Sequence, residues 1–319
     1  MELGLWLGLD LLLAAMVLGL GWAAVSSPDL KQGVVLFIAF GLMLALVWAR
    51  LGAPDLALAE AAIGAGLSGA LLLSALRDAP RETPAPAPLP LAALIGLLTL
   101  ALAAAYAWAL VSALQVGDPV RLSRHVAEQL AHSGVGNPVT AVLLNFRAYD
   151  TLLELAVLAT AVLGILALGQ ARPSYRPAGP LFGSLVRWLV PLLLVTAGYL
   201  LWAGAQEPGG AFQAGALLAS AAVLLRLAGH PGAGLPGPGA LRWLLVGGVA
   251  AFLAIGLAVT PAGLAFLQYP EGWAGVSILL IEAAATLSIA ATLALAYLGG
   301  RPTGFESASA PPPGDRKEN

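Results

Sequence analysis

The sequence predicts an all-α integral membrane protein with about nine transmembrane helices in blocks of three, two and four. Three observations carry this. Hydrophobic residues make up 59% of the chain and charged residues only 10%. Apolar runs of about 20 residues, long enough to cross a ~30 Å hydrocarbon core, recur along it. They lie near 3–25, 30–49, 56–76, 89–114, 139–168, 182–203, 211–228, 241–258 and 275–298. No strand alternation or barrel turn spacing appears, so every run reads as a helix.

The first run carries Asp10 midway along its length, placed to pair with a neighbour or to line a path. No small-residue cleavage site follows it, so it is expected to be a retained span. The third helix opens Gly52-Ala53-Pro54-Asp55, which suggests Asp55 as its N-cap. Glu60 sits one turn in, with Gly64 and Ser68 on its face and Ala57, Ala61 and Ala65 alongside. Small residues let another helix approach closely, so Glu60 is expected to face protein or a water-filled gap. It can pass protons there, or it can serve packing through a hydrogen bond.

Residues 1–78 form the first module, and 79–90, rich in Ala and Pro, read as a stiff spacer. The second module spans 91–170. Between its two helices, Val120 to Gly134 alternates charged and apolar residues. That spacing suits a helix on the membrane surface or one packed on a partner.

The fifth run opens with Asn145-Phe146-Arg147-Ala148-Tyr149-Asp150-Thr151-Leu152-Leu153-Glu154. At helical spacing Arg147, Asp150 and Glu154 form one charged stripe at and just inside the start of a span. A charge at the bilayer centre costs roughly 2.5–3.5 kcal/mol on insertion scales, which makes the stripe a candidate ion or proton path. Either Arg147 neutralises Asp150 and leaves Glu154 to titrate, or the three form one hydrogen-bonded chain. A third reading has Arg147 and Asp150 only marking the interface.

A linker over 171–181 with three X-Pro steps leads to a four-helix module over 182–300. Its seventh run is the weakest, being short and rich in Gly and Ala. The preceding loop contains Pro208, Gly209, Gly210, Phe212 and Gln213. Such a loop makes a tight turn or dips inward onto buried protein. Glu282 lies two turns into the last helix and must find a partner on another helix. The tail over 301–319 is expected to be disordered.

Other chemistries find no support. With no cysteine there is no disulfide or thiolate metal site. His125, His132 and His230 lie in loops without metal-ligand spacing, so no metal or other cofactor is expected. No phosphate-binding loop or nucleophile motif is present. A net charge of −2 gives no reason to expect a nucleic-acid partner. Placing the N-terminus outside puts eleven Lys and Arg residues inside and four outside, with a cytoplasmic C-terminus.

The segment from Leu51 to Ala61 resembles the three-helix module near the C-terminus of the large Mrp antiporter subunit, also a small subunit of membrane-bound hydrogenases. Asn145 to Glu154 resembles the next module, whose pattern is close to D-F-R-G-x-D-T-x-x-E, with Asn145 and Ala148 as departures. Pro208-Gly209-Gly210-Ala211-Phe212-Gln213-Ala214-Gly215 resembles the P-G-G-G-F-Q-G-G loop of the Mrp B subunit, with Ala211 and Ala214 replacing glycines. Glu282 falls where that subunit has a glutamate in its last helix.

The resemblance implies a fusion of the large subunit's C-terminal modules with the B subunit. Its implied setting is a multi-subunit sodium/proton antiporter of the plasma membrane. Glu60 and Glu154 match glutamates implicated there in cation and proton movement. The chain is expected to be a non-enzymatic membrane subunit with other membrane subunits as partners. The long antiporter-like helix array that precedes these modules in the family is absent from this sequence, so transport is expected to need those partners. Two alternatives remain: the ion-translocating subunit of an energy-converting hydrogenase or related respiratory complex, and a non-conducting scaffold.

Overall fold

The computed structural model describes residues 2–77, 88–115, 121–168, 179–230, 232–270 and 272–299. The spacer over 79–87, the linker over 171–178 and the tail over 301–319 lie outside the described residues. In chain order the helices are α1 (Glu2–Ser26), α2 (Leu30–Arg50), α3 (Pro54–Ala59), α4 (Ser68–Arg77), α5 (Leu89–Gln115) and α6 (Arg121–Gln129). Then come α7 (Pro138–Ala141), α8 (Ala148–Ala167), α9 (Pro180–Ala203), α10 (Ala211–Leu227), α11 (Pro238–Ala258) and α12 (Ala274–Leu298). No strand occurs among the described residues.

Two π-helical stretches interrupt this pattern. Glu60–Leu67 joins α3 to α4 in one continuous span, and Val142–Phe146 extends α7. Among the described residues, eight spans are long and apolar enough to cross a membrane, close to the expected nine. The remaining helix is α10, with 17 residues. At about 1.5 Å per residue it is roughly 25 Å long.

The chain divides into two units, Met1–Asp78 with Leu130–Asn319, and Ala79–Gln129. The smaller unit holds α5, which buries no residue, and the amphipathic α6, where His125 and Glu128 pair at 3.5 Å. The larger unit holds the other helices. Its α8 therefore packs with the third block, although in sequence it is the partner of α5.

In the larger unit α1 and α2 form a hairpin. Asp29 caps α2 by accepting from the Lys31 N–H at 2.9 Å. Asp10 meets Arg50, whose Nε and Nη2 donate to its two oxygens at 2.8 and 3.2 Å. The guanidinium also lies 4.7 Å over the Trp6 ring.

The most enclosed span is α12, flanked by α10, α11 and α8. Without a hydrophobic driving force in lipid, such packing depends on close contact between small residues. A Cβ at Gly215 of α10 would fall 2.8 Å from the Ile289 side chain, and one at Gly248 of α11 3.1 Å from Ser288. These approaches explain why α10, the short run rich in Gly and Ala, is a central helix. Its alanines and glycines serve protein contact instead of lipid. Phe252, Ile278, Ile281 and Ile289 fill the core against Leu144, Leu152 and Leu155.

Candidate functional site

A loop from the third block is clamped between the other two. Gly204 and Gly209 lie so close that a Cβ on Gly204 would fall 2.5 Å from the Gly210 nitrogen. One on Gly209 would fall 2.5 Å from the Leu200 carbonyl. Gly210 takes φ +107°, a region that disfavours any side chain. This turn delivers the Gly209 N–H to Asp55 Oδ1 at 3.0 Å, while Gln213 Nε2 donates to the Asp55 carbonyl at 3.1 Å.

Asp55 is thus not the expected N-cap. The cap position falls at Ala53, with no side-chain bond, because Pro54 takes the first helical position. Asp55 turns inward and is buried.

Asn137 completes the clamp. Its Oδ1 accepts from the Val139 and Thr140 N–H groups at 2.7 and 3.2 Å, capping α7. Its Nδ2 donates to the Glu207 carbonyl at 2.9 Å and, at 3.5 Å, to Asp55 Oδ2. Thr140 Oγ1 donates to the Gly204 carbonyl at 2.6 Å. The Gly136 and Asn137 N–H groups both donate to the Ala205 carbonyl, at 2.8 and 3.1 Å.

Beneath the loop lies a cavity of about 340 Å³. Asp55, Thr140, Thr151, Glu154, Gln213 and Glu282 supply its polar lining, and Gly209, Gly210 and Phe212 also border it. Glu282 is 2% exposed. Its side chain accepts from the Ala211 N–H, and Oε1 lies near Gly210. Oε2 is buried with no hydrogen-bond partner among the described residues. Glu154 borders the same cavity yet is exposed, so the chamber opens at its side. Pro208 is half-buried at the start of the turn and does not line the cavity.

The expected continuous span over 139–168 is broken at Arg147, whose backbone (φ −130°, ψ 34°) leaves the helical region, and α8 begins at Ala148. The break frees carbonyls that must find donors inside the protein. Thr151 Oγ1 donates to the Leu143 carbonyl at 2.6 Å, and the Tyr269 hydroxyl to the Leu144 carbonyl at 2.9 Å. Burial pushes the Tyr269 phenol up to about 12, which keeps it a donor. Arg147 and Asp150 pair at 2.5 Å with both side chains exposed. Glu154, two turns into α8, turns to the chamber.

Glu60 stands apart. It is half-buried, opens the π-helical stretch and lies over Gly64, where a Cβ would collide with its carboxylate. Its helix neighbours Ala59 and Ile63 line the chamber, but Glu60 does not. The chamber brings together Glu154, Glu282, Gly209, Gly210, Phe212 and Gln213, but leaves out Glu60, Arg147, Asp150 and Pro208.

Three family models cover most of the chain. MbhD, a subunit of MBH, matches residues 15–81, and MbhE, a second MBH subunit, matches 92–182. A domain related to the MnhB subunit of the Na+/H+ antiporter matches 181–300. A chain of the Mrp complex from a Dietzia species superposes with a TM-score of 0.76 at 22% identity, over 94% of this chain. The chain shares the fold of that Mrp chain.

It spans 35% of the length of that Mrp chain. A chain of the membrane-bound sulfane sulfur reductase, an archaeal respiratory membrane complex, shares the fold over 66% of this chain and 97% of its own. There the TM-score is 0.53 and the identity 20%. No curated protein matches the chain. On this Mrp-type fold, the chamber is walled by residues from all three matched regions: Asp55, then Thr140 and Glu154, then Gln213 and Glu282.

Sequence reasoning missed Asp55 and Asn137 as members of the site. The one available signal was a polar residue beside each of two prolines, Pro54-Asp55 and Asn137-Pro138. That signal reads locally as capping, and for Asn137 capping is half of its role.

Proposed function

We propose that this chain is a membrane subunit of a multi-subunit monovalent cation (sodium)/proton antiporter. In this reading Glu154 and Glu282 hand positive ions through the chamber between them. One observation carries it: a buried carboxylate oxygen, Glu282 Oε2, lacks a partner among the described residues beside a cavity large enough for several waters. A buried polar group left unpaired is costly, so a site that retains one has a use for it.

The polar hydrogens around the chamber support a cation as its occupant. Those of Thr140, Thr151, Gly209 and Ala211 are already donated to protein oxygens. Beside the second Gln213 amide hydrogen, what remains towards the cavity is oxygen lone pairs, the ligands of hard cations. Arg147, paired with Asp150, sets the field at the open side near Glu154, and Glu60 serves a neighbouring stretch of the path.

The subunit is non-enzymatic, lies in the plasma membrane with its N-terminus outside, and works with other membrane subunits. The modules are those proposed from the sequence: 1–78, 91–170 and 182–300.

The test is cation-driven proton movement in vesicles bearing the native complex. Glu282→Gln and Glu154→Gln keep size and hydrogen bonding but cannot release a proton. Each is expected to lower exchange at least tenfold with assembly intact. Normal exchange in both would leave the carboxylates as scaffold only.

The MBH matches over 15–81 and 92–182 favour one second reading, the ion-translocating subunit of a redox-driven membrane complex. Subunits co-purifying with the chain decide between the two.

A further inference from the structure

We propose that Asp55 is a positioning residue for Glu282, acting through the backbone of Gly209 to Ala211. The proposal rests on the reading that Glu282 works in the ion path, and it adds a residue that neither motif nor hydropathy assigns to that path.

Asp55 is buried, and among the described residues its carboxylate meets only neutral donors. A lone buried carboxylate is expensive unless donors offset it, so the Gly209 N–H and Asn137 Nδ2 are what make it tolerable. The same contact fixes the loop. Gly209 gives its N–H to Asp55, and two residues later Ala211 gives its N–H to Glu282. One turn of backbone therefore bridges two carboxylates from different modules.

That turn cannot slide by itself. The Gly210 N–H is held by the Leu200 carbonyl at 2.9 Å, Gly210 sits at φ +107°, and neither Gly204 nor Gly209 has room for a Cβ. A displacement of Gly209 is consequently passed to Ala211. Asp55 thereby keeps one carboxylate oxygen of Glu282 bonded to the loop and the other unpartnered beside the chamber. The titratable side chains lining the cavity are Asp55, Glu154 and Glu282, so no other charged group there can substitute for this tie.

The chain has no cysteine, so one introduced thiol reports on the loop. The experiment uses the native complex in vesicles, with Phe212→Cys labelled by a membrane-permeant maleimide and read on this chain by mass. Exchange KM for the cation is measured in parallel without the reporter. Asp55→Ala removes the tie, and Asp55→Glu keeps the charge but displaces it by one methylene. Asp55→Asn keeps an oxygen for Gly209 at the original place.

Labelling is expected to rise several-fold in the Ala and Glu variants and to stay within about twofold of the parent in the Asn variant. Cation KM is expected to rise about tenfold in the first two, the scale of a lost hydrogen bond to a charged group. In a Glu282→Gln background the Asp55→Ala change should add nothing to KM. Unchanged labelling in Asp55→Glu, which retains the carboxylate, would overturn the proposal even if Asp55→Ala fails to assemble. So would normal behaviour of Asp55→Glu with a damaged Asp55→Asn, which would assign Asp55 a role through charge alone. Full exchange in Glu282→Gln would instead sink the ion-path reading, while the labelling still judges the tie.

Discussion

Replacing Asn137 with alanine tests how the three blocks are held together. The side chain is 3% exposed and makes two kinds of contact. Its oxygen caps α7 through Val139 and Thr140, and a lost cap of this type costs about 1 kcal/mol, with a range of 0.5–2. Its amide holds the Glu207 carbonyl at 2.9 Å, a net contribution of about 1 kcal/mol. The longer contact to the Asp55 carboxylate adds a smaller share. Because these groups share partners, the terms do not add freely, and a loss of about 2–3 kcal/mol is expected. The assay is reversible unfolding of the purified chain in mixed micelles. Asn137→Asp is the control: it keeps the capping oxygen but sets a carboxylate against the Glu207 carbonyl and Asp55, so it should lose the tie and retain the cap. A loss below about 0.5 kcal/mol for Asn137→Ala would refute the reasoning, because neither the cap nor the tie would then matter.

Two further outcomes follow from the same geometry. Gly209→Ala puts a methyl 2.5 Å from the Leu200 backbone carbonyl, and overpacking of this kind costs about 1–3 kcal/mol; thermal stability of the purified complex measures it, and an unaltered midpoint would contradict the close approach. Tyr269→Phe loses the bond to the Leu144 carbonyl, about 1 kcal/mol near neutral pH. The phenol's folded pKa, about 12, lies above the unfolded value. Its stabilising share is therefore complete below about pH 10 and fades as pH rises through 12. The parent should lose stability over that window by a component that Tyr269→Phe lacks, as unfolding at stepped pH would report.

The spans were legible because membrane insertion imposes a length and an apolarity that a single segment carries by itself. The interruptions were not. Val139 to Leu168 is apolar on both sides of Arg147, and the carbonyls freed there are satisfied by Thr151 within the run and by Tyr269, 125 residues from Leu144 in sequence. The π-helical stretch at Glu60 likewise leaves no compositional mark; its side chain lies over Gly64, as its spacing suggested, and does not line the chamber. Asp55 was misread for a related reason. A local rule assigns a polar residue near a helix start to capping, but its partners are 82 and 154 residues away. Glu154 and Glu282 were found as intramembrane carboxylates, whereas their sharing of one cavity depends on α8 packing with α12, which no motif encodes.

The central claim is that the chamber between Glu154 and Glu282 holds water or a cation in the working complex. A high-resolution cryo-electron microscopy map of the native complex in sodium would test it most directly. The account expects discrete density within hydrogen-bonding or coordination distance of Glu282 Oε2, continuous towards Glu154. A chamber filled by a partner's apolar side chains, with Oε2 bonded to protein and no wet route to Glu154, would contradict it.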